Sequence, residues 1–290
     1  MPISHIALAL LIVGIWGFNF VLITIGLQDI PPFLLACARF ILTSLPAVFF
    51  IKRPSVPFKM VVFYGLVMFA IQFSLLFIGM YLGVTPGLAS ILLQMNVFFS
   101  ILIGIIWFGE RLHKWQIVGA LVAFSGIVLV GMNLGGNLTL GGFILLIASA
   151  VTWSSGNAIA KKIGRVDMFA LVVWGSLIAW PPLLLISLWI DGPDQILYSF
   201  LHLSLLSIGA VAYIAYLSTL FAFAVWNRLI HLHPLSTISP FTLLVPVIAM
   251  TSSVLVLGEP LESWKIYAAI LVIGGLCINL FGPRIFNKKR

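Results

Sequence analysis

Long apolar runs alternate with short polar stretches along the whole chain, and each run is close in length to a membrane-spanning helix. About 20 apolar residues in a helix are needed to cross the hydrocarbon core of a bilayer. Charged and turn-forming residues separate the runs, as in the stretch 28–32 and at Lys52, Arg53 and Pro54. The pattern predicts ten helical segments, at residues 4–27, 32–51, 57–82, 85–108, 114–132, 140–163, 167–190, 201–229, 234–257 and 264–281.

Composition makes this a membrane protein rather than a soluble one. Hydrophobic residues form 62% of the 290 residues and charged residues 8%. Soluble domains carry about 25% charged residues, because their surface must face water. The net charge of +8 does not indicate nucleic-acid binding, because the basic residues lie between apolar runs. We therefore predict an all-α membrane protein with the lipid bilayer as its partner and no nucleic acid.

The distribution of Lys and Arg predicts the orientation of the chain. With ten segments and both termini inside, thirteen of the fifteen basic residues fall on the inner side. Lys265 lies outside, and Arg39 lies within the second segment. This imbalance satisfies the positive-inside rule. It predicts a multi-pass protein with cytoplasmic N- and C-termini.

A stretch of eighteen residues occurs in two similar copies. GERLHKWQIVGALVAFSG at 109–126 recurs as GEPLESWKIYAAILVIGG at 258–275, at an offset of 149 residues. Chance similarity between apolar helices explains Leu and Ile matches, but not a shared Gly-Glu pair and Trp. We predict two five-helix repeats, at 1–137 and 138–290. Because five is odd, the second repeat is inverted relative to the first, an architecture of many secondary transporters.

Polar and aromatic residues inside the segments are the candidates for binding a substrate, because polar groups are costly in lipid. Amides donate to carboxylates and accept from ammonium groups, and aromatic rings supply apolar walls. Such side chains also serve as bonds between helices, and that alternative stays open for each residue. The candidates are Trp16, Asn19, Gln72, Gln94, Asn96, Trp153, Asn157, Tyr213 and Tyr216.

Four further residues have special positions in the segments. Pro86 and Pro234 begin the fourth and ninth segments, and Pro246 lies within the ninth. Proline weakens helical hydrogen bonding, so these three are candidate gating residues. Arg39 can snorkel to the surface, pair with Asp29 or bind a helix end, and a structural role is favoured over substrate capture.

The sequence lacks the residues that several kinds of chemistry would need. Every carboxylate and every histidine lies in a predicted loop or at a helix end, which disfavours proton coupling through a buried carboxylate. The sequence contains no recognisable metal-ligand cluster, nucleophile–base set or phosphate-binding glycine loop. We therefore expect no enzymatic activity, no metal and no cofactor.

The ten segments and the paired Gly-Glu motifs resemble the EamA branch of the drug/metabolite transporter superfamily. Within it, five stretches look like bacterial exporters of O-acetylserine and cysteine: ALLIVGIWGFNFVLITIGL (9–27), PPFLLACARF (31–40), GLASILLQ (87–94), FGERLH (108–113) and LLVPV (243–247). The resemblance implies a central cavity formed by segments one, three, four, six, eight and nine. Segments five and ten would be peripheral.

The sequence thus predicts an exporter of small amino-acid-like metabolites, of the cysteine or O-acetylserine type. It would lie in the bacterial inner membrane, act by alternating access, bind a small-molecule substrate and work as a monomer. Two alternatives remain open at this point. One is uptake or facilitated diffusion of another small metabolite, and the other is a non-transporting structural or partner-binding subunit.

Overall fold

The fold consists of helices throughout the part of the chain that is described. A computed structural model describes residues 2–108, 114–133, 139–163, 166–232, 241–242 and 244–286, and these residues contain no strand. Five of the helices are long and apolar enough to cross a membrane, and five shorter apolar helices accompany them. The prediction of an all-α membrane protein is confirmed. The count of ten spans stays a prediction.

Twelve helices are described. They are α1 (Ile3–Asp29), α2 (Pro32–Val48), α3 (Phe58–Tyr81), α4 (Pro86–Leu93), α5 (Asn96–Phe108), α6 (Lys114–Met132), α7 (Leu140–Ile163), α8 (Met168–Ile190), α9 (Gly192–Leu201), α10 (Leu205–Ala212, Tyr213–Phe221 and Ala222–Leu232 without interruption), α11 (Leu244–Leu257) and α12 (Ser263–Phe286).

Polar residues set several of the helix ends. Asp167 precedes α8, and its Oδ1 accepts hydrogen bonds from the backbone N–H groups of Phe169 (2.9 Å) and Ala170 (3.3 Å). A side-chain oxygen at this position satisfies N–H groups that have no partner within the helix. Ser204 does the same before α10, where its Oγ accepts from the backbone N–H of Ser207 at 3.1 Å.

The described helices differ from the predicted segments in three places. The fourth segment is two helices, α4 and α5, separated at Gln94 and Met95. An additional short helix, α9, occupies the connection between the seventh and eighth segments. The ninth segment is described as α11 with a short 3₁₀ turn at residues 241–242, and its predicted start at Pro234 lies outside the described residues.

Two helices contain a π-helical stretch near their middle. In α3 it covers Gly65–Ile71, and in α10 it covers Tyr213–Phe221. Tyr213 follows Gly65 by 148 residues, which is close to the repeat offset. Thr219 in the second stretch donates from Oγ1 to the carbonyl oxygen of Ile214, five residues earlier, at 2.7 Å. Stretches of π-helix are rare and are frequent at functional sites.

Contacts between helices occur in pairs that the predicted repeat relates to one another. Helix α1 packs against α11 as α7 packs against α4 and α5. Similarly, α10 packs against α1 as α7 packs against α3. The pairs α2 with α8 and α6 with α12 each join corresponding helices of the two predicted repeats. These pairs of contacts are the ones expected if the two predicted repeats have similar structures.

Described residues of the two repeated stretches pack against each other where α6 meets α12. A Cβ added at Gly275 would lie 2.5 Å from the carbonyl oxygen of Gly119, and one added at Gly126 would lie 2.9 Å from the carbonyl oxygen of Ala268. Both contacts use the same two repeat positions, exchanged between helices. Small residues allow helix backbones to approach closely in a membrane.

Gly275→Ala is therefore expected to destabilise the protein, because its Cβ would be forced against backbone atoms of α6. Gly274→Ala is the matched control, since a Cβ at Gly274 meets no atom within 4 Å. Alanine favours a helix over glycine by roughly 0.5–1 kcal/mol, so the control should be neutral or slightly stabilised. Thermal unfolding of both variants in detergent measures the difference. Equal melting temperatures would contradict the close packing.

The surface of the described bundle is apolar, as contact with lipid requires. Leu121 and Phe124 on α6 and Ile270 on α12 are exposed, with 66%, 56% and 60% of their surface accessible. Apolar surface of this extent is unfavourable in water. These residues therefore face the bilayer.

Candidate functional site

The fourth predicted segment is interrupted where two of the candidate amides lie. Helix α4 ends at Leu93 and α5 begins at Asn96. Between them, the backbone N–H groups of Gln94 and Met95 each bond to a carbonyl three residues earlier, at 3.1 Å. Such a break is tolerated at membrane depth only where it is buried in protein or lines a cavity.

Side chains from other helices supply bonds at this break. Gln94 is buried, and its Nε2 donates to the carbonyl oxygen of Thr242 at 3.1 Å. Ser154 of α7 donates from Oγ to the carbonyl oxygen of Asn96 at 2.6 Å. The Asn96 amide itself donates to the carbonyl oxygen of Leu93. The break is therefore held between α7 and the residues that precede α11.

Gln72 is fully buried and is held by α7. Its Nε2 donates to Ser149 Oγ at 3.0 Å, and Ser149 Oγ donates back to the Gln72 carbonyl oxygen at 3.0 Å. The side-chain oxygen, Oε1, has no hydrogen-bond partner among the described residues. Gln72 directly follows the π-helical stretch of α3. A buried acceptor without a donor is costly.

Asn19 on α1 is also buried, and no described group bonds to its Oδ1. Nearby on the same helix, Gly17 packs directly against Ile248 of α11, because a Cβ there would lie 2.6 Å from that side chain. Asn19 therefore lies on a tightly packed helix. The neighbouring described residues leave its Oδ1 without a hydrogen bond.

Trp16 and Tyr213 join α1 to α10. The indole Nε1 of Trp16 donates to the carbonyl oxygen of Ser218 at 3.1 Å, and the Tyr213 hydroxyl donates to that of Ile15 at 3.1 Å. Both therefore make bonds between helices in this conformation. Tyr216 lies in the same π-helical stretch as Tyr213 and is 37% exposed.

The corresponding amides of the two predicted repeats, Asn19 and Asn157, differ in burial. Trp153 on α7 is half-buried and packs against the main hydrophobic core. Asn157, one turn later, is exposed. The structure thus buries Asn19, Gln72 and Gln94, whereas Asn157 lies at the surface.

The candidate gating prolines lie at helix starts where they are described. Pro86 is the first residue of α4, and Pro246 is the third residue of α11. Proline is well tolerated in the first turn, because its missing N–H has no helical partner there. Helix-interior prolines occur instead at Pro46 in α2 and at Pro181 and Pro182 in α8. The gating role of Pro86, Pro234 and Pro246 stays a prediction.

An ion pair that the sequence places in a loop is in fact buried. Lys265 Nζ lies 3.1 Å from Glu259 Oε1, and both side chains are less than one-tenth exposed. Ser253 donates to the second carboxylate oxygen of Glu259. The carboxylate also reaches α4, since a Cβ at Gly87 would be 3.5 Å from Glu259 Oε2. Glu259 and Lys265 lie in a shallow surface depression together with Gly87 and Met250.

Metal binding finds no support in the described ranges. They contain no group of three or more His, Cys, Asp or Glu side chains that could hold a metal ion.

Comparison with known proteins identifies the family. Residues 3–132 and 140–281 each match the EamA-like transporter family. The chain belongs to that family. Two curated relatives are both named probable amino-acid metabolite efflux pumps. The protein from Salmonella typhimurium is 39% identical over 98% of this chain and 97% of its own length, and the one from Escherichia coli strain K12 is 39% identical over 96% and 95%.

More distant relatives cover the chain almost completely. An uncharacterized inner membrane transporter of Escherichia coli is 24% identical over 95% of this chain and 90% of its own length. A crystal structure of another protein superposes on 97% of this chain with a TM-score of 0.63 at 17% identity, which supports the fold alone. The predicted resemblance to EamA transporters is confirmed. This EamA protein is a multi-pass membrane protein of a transporter family.

Proposed function

We propose that this EamA protein exports small amino-acid-like metabolites, of the cysteine or O-acetylserine type, across the bacterial inner membrane. Two relatives that are 39% identical to it over nearly the whole chain are named probable amino-acid metabolite efflux pumps, which supports export of such metabolites. Export changes no covalent bond in the cargo, so the proposal requires no catalytic residue, metal or cofactor. It requires a polar site inside the bundle that can be reached from each side in turn.

The observation that carries the proposal is the break between α4 and α5. Substrate sites of many secondary transporters lie where membrane helices are discontinuous, because free backbone and side-chain polar groups become available there. In this protein Gln94 lies in the break and Asn96 directly follows it, and Ser154 and Thr242 meet them from α7 and from the residues before α11. Helices of both predicted repeats therefore meet at this point.

Alternating access is the mechanism we propose, with the halves 1–137 and 138–290 inverted relative to each other and both termini in the cytoplasm. The paired helix contacts and the reciprocal packing of Gly126 and Gly275 support two similar halves. Such halves can exchange conformations, so that the site opens to one side and then to the other. Trp16, Tyr213 and Tyr216 would form the apolar walls on one side of the site and Trp153 on the other.

The test is flux in liposomes that contain the purified protein and radiolabelled cysteine or O-acetylserine. Wild-type protein is expected to move both solutes. Asn19→Ala should reduce flux more than Asn157→Ala, because Asn19 is buried with an unbonded acceptor and Asn157 is exposed. Ser125→Ala serves as the control, since Ser125 is exposed and bonds only to the carbonyl of Val122 in its own helix.

Each result of this experiment has a defined meaning. Flux that is insensitive to Asn19→Ala would refute the site while leaving transport intact. Absence of flux for every amino acid would refute the function and favour a structural or partner-binding subunit. Flux that favours an unrelated small metabolite would retain transport and change the cargo.

A further inference from the structure

Arg39 is a basic residue buried in the middle of the bundle. It lies on α2 with 1% of its surface exposed. Its guanidinium reaches between α3 and α10: the Cζ atom is 3.9 Å from the ring centre of Phe73, and Nε donates to Thr219 Oγ1 at 2.8 Å. These two helices carry the π-helical stretches and the candidate residues Gln72 and Tyr213.

No described carboxylate neutralises this charge. Asp29, one of the partners considered for Arg39, instead accepts hydrogen bonds from the Ser204 backbone N–H at 3.1 Å and the Ser207 hydroxyl at 2.7 Å. Nη1 of Arg39 has no hydrogen-bond partner in the part of the chain that the structure describes. The Phe73 ring and a single hydroxyl are weak compensation for a buried guanidinium, whose desolvation costs several kcal/mol.

A series of aromatic contacts runs from Arg39 to the candidate residue Trp16. Phe73 contacts Phe40, with ring centres 5.5 Å apart, and Phe40 contacts Phe69 at 5.2 Å. From Phe69 the aromatic contacts continue through Phe223, at 6.4 Å, to Trp16, at 5.5 Å. The guanidinium thus lies at one end of a continuous aromatic cluster, and Trp16, one helical turn from Asn19, lies at the other.

Three buried side chains each have an unbonded atom whose chemistry is complementary to one end of an amino acid. Arg39 Nη1 is a charged donor, whereas Asn19 Oδ1 and Gln72 Oε1 are neutral acceptors. A carboxylate accepts from guanidinium N–H groups in short, strong hydrogen bonds, and an ammonium group donates to amide oxygens. None of the described carboxylates is bonded to the Arg39 guanidinium. A carboxylate on the cargo would supply the anion that pairs with it.

We propose that Arg39 binds the carboxylate of the transported amino acid, and that this contact selects carboxylate-bearing cargo. The inference rests on the proposed function, because only a transported solute would bring that carboxylate to Arg39. A purely structural Arg39 would join α2 to α10 through Thr219 and would be indifferent to the charge of the cargo. The two roles therefore predict different selectivity.

Competition against cysteine flux by the wild-type protein is the first test, and it needs no substitution. Cysteamine is cysteine without its carboxylate, and 3-mercaptopropionate is cysteine without its ammonium group. At tenfold excess, 3-mercaptopropionate is expected to inhibit radiolabelled cysteine flux and cysteamine to leave it nearly unchanged. Equal inhibition by both, or inhibition by cysteamine alone, would overturn the assignment of Arg39.

The second test substitutes Arg39 and compares kcat/KM for cysteine with kcat/KM for cysteamine. In the wild-type protein, kcat/KM should be larger for cysteine than for cysteamine, and Arg39→Gln should reduce that ratio by about 10- to 100-fold, the range expected for one charged hydrogen bond. Arg39→Lys should retain part of the ratio. A structural role would lower both rates together and leave the ratio unchanged, which would refute the proposal.

Arg53→Gln is the matched control, because Arg53 is exposed and its guanidinium also lies over a phenylalanine, at 5.6 Å from the Phe58 ring centre. It should leave the ratio unchanged. If Arg39→Gln does not fold, the competition test still decides. If the wild-type protein moves no amino acid, the proposed function fails and Arg39 has no cargo to bind. Cysteine flux without preference for the carboxylate refutes the role of Arg39 alone.

Discussion

Lys265→Met is expected to lower the free energy of unfolding by about 3–5 kcal/mol, the range for removing one partner of a buried ion pair. The change leaves the Glu259 carboxylate buried, with Ser253 as its remaining side-chain partner. The cost arises because a charge that is out of water must be paired or hydrogen-bonded. Unfolding by SDS in mixed detergent micelles measures the change.

The double variant Lys265→Met with Glu259→Gln should recover much of this loss, because it removes both charges together. Glu262→Gln is the matched control. Glu262 Oε2 lies 3.9 Å from the same ammonium group but its side chain is 50% exposed, and exposed pairs contribute about 1 kcal/mol or less. If Glu262→Gln were as destabilising as Lys265→Met, the burial of the Glu259 pair would not be the cause.

Gln94→Leu is expected to reduce transport by about 10- to 100-fold, since loss of a buried hydrogen bond that leaves its partner unpaired costs about 1–3 kcal/mol. Leucine has a similar size, but it cannot donate to the carbonyl oxygen of Thr242, which Gln94 Nε2 reaches at 3.1 Å. The break between α4 and α5 would then lose its bond to the residues before α11. Liposome flux measures the rate.

The control for this substitution is Gln195→Leu, on the short helix α9, where the side chain is exposed. Flux should be unchanged there. The elution of both variants from a size-exclusion column shows whether they are folded. A folded Gln94→Leu protein with wild-type flux would show that the break does not contribute to transport.

The helices whose ends carry polar or turn-forming residues could be predicted well from the sequence. The predicted segments at 114–132 and 140–163 coincide with α6 and α7. The break at Gln94 and Met95 could not be predicted, because the run from 85 to 108 has neither a charge nor a proline or glycine near its middle. The π-helical stretches depend on packing between helices, which periodicity does not reveal.

The candidate site was predictable in part. Polar residues are rare in the apolar segments, and this was enough to select Asn19, Gln72 and Gln94. The structure buries all three. Asn19 is buried and Asn157 is not, because burial depends on which face of each helix contacts its neighbours. The similarity between the repeats predicts the same environment for both residues. Ser149 and Ser154 could not be selected as site residues from the sequence, because serine is common in helices. Only their contacts with α3 and α5 distinguish them.

A π-helical turn holds one residue more than the α-helical turn it replaces, because its hydrogen bonds join residues five apart instead of four. Deleting one residue from Gly65–Ile71 or from Tyr213–Phe221 would therefore leave a regular α-helix of nearly the same length. The same deletion elsewhere in α3 or α10 would rotate everything beyond it by about 100°, the angle per residue of an α-helix. In alignments of EamA sequences, single-residue gaps in these two helices should therefore gather at the two stretches.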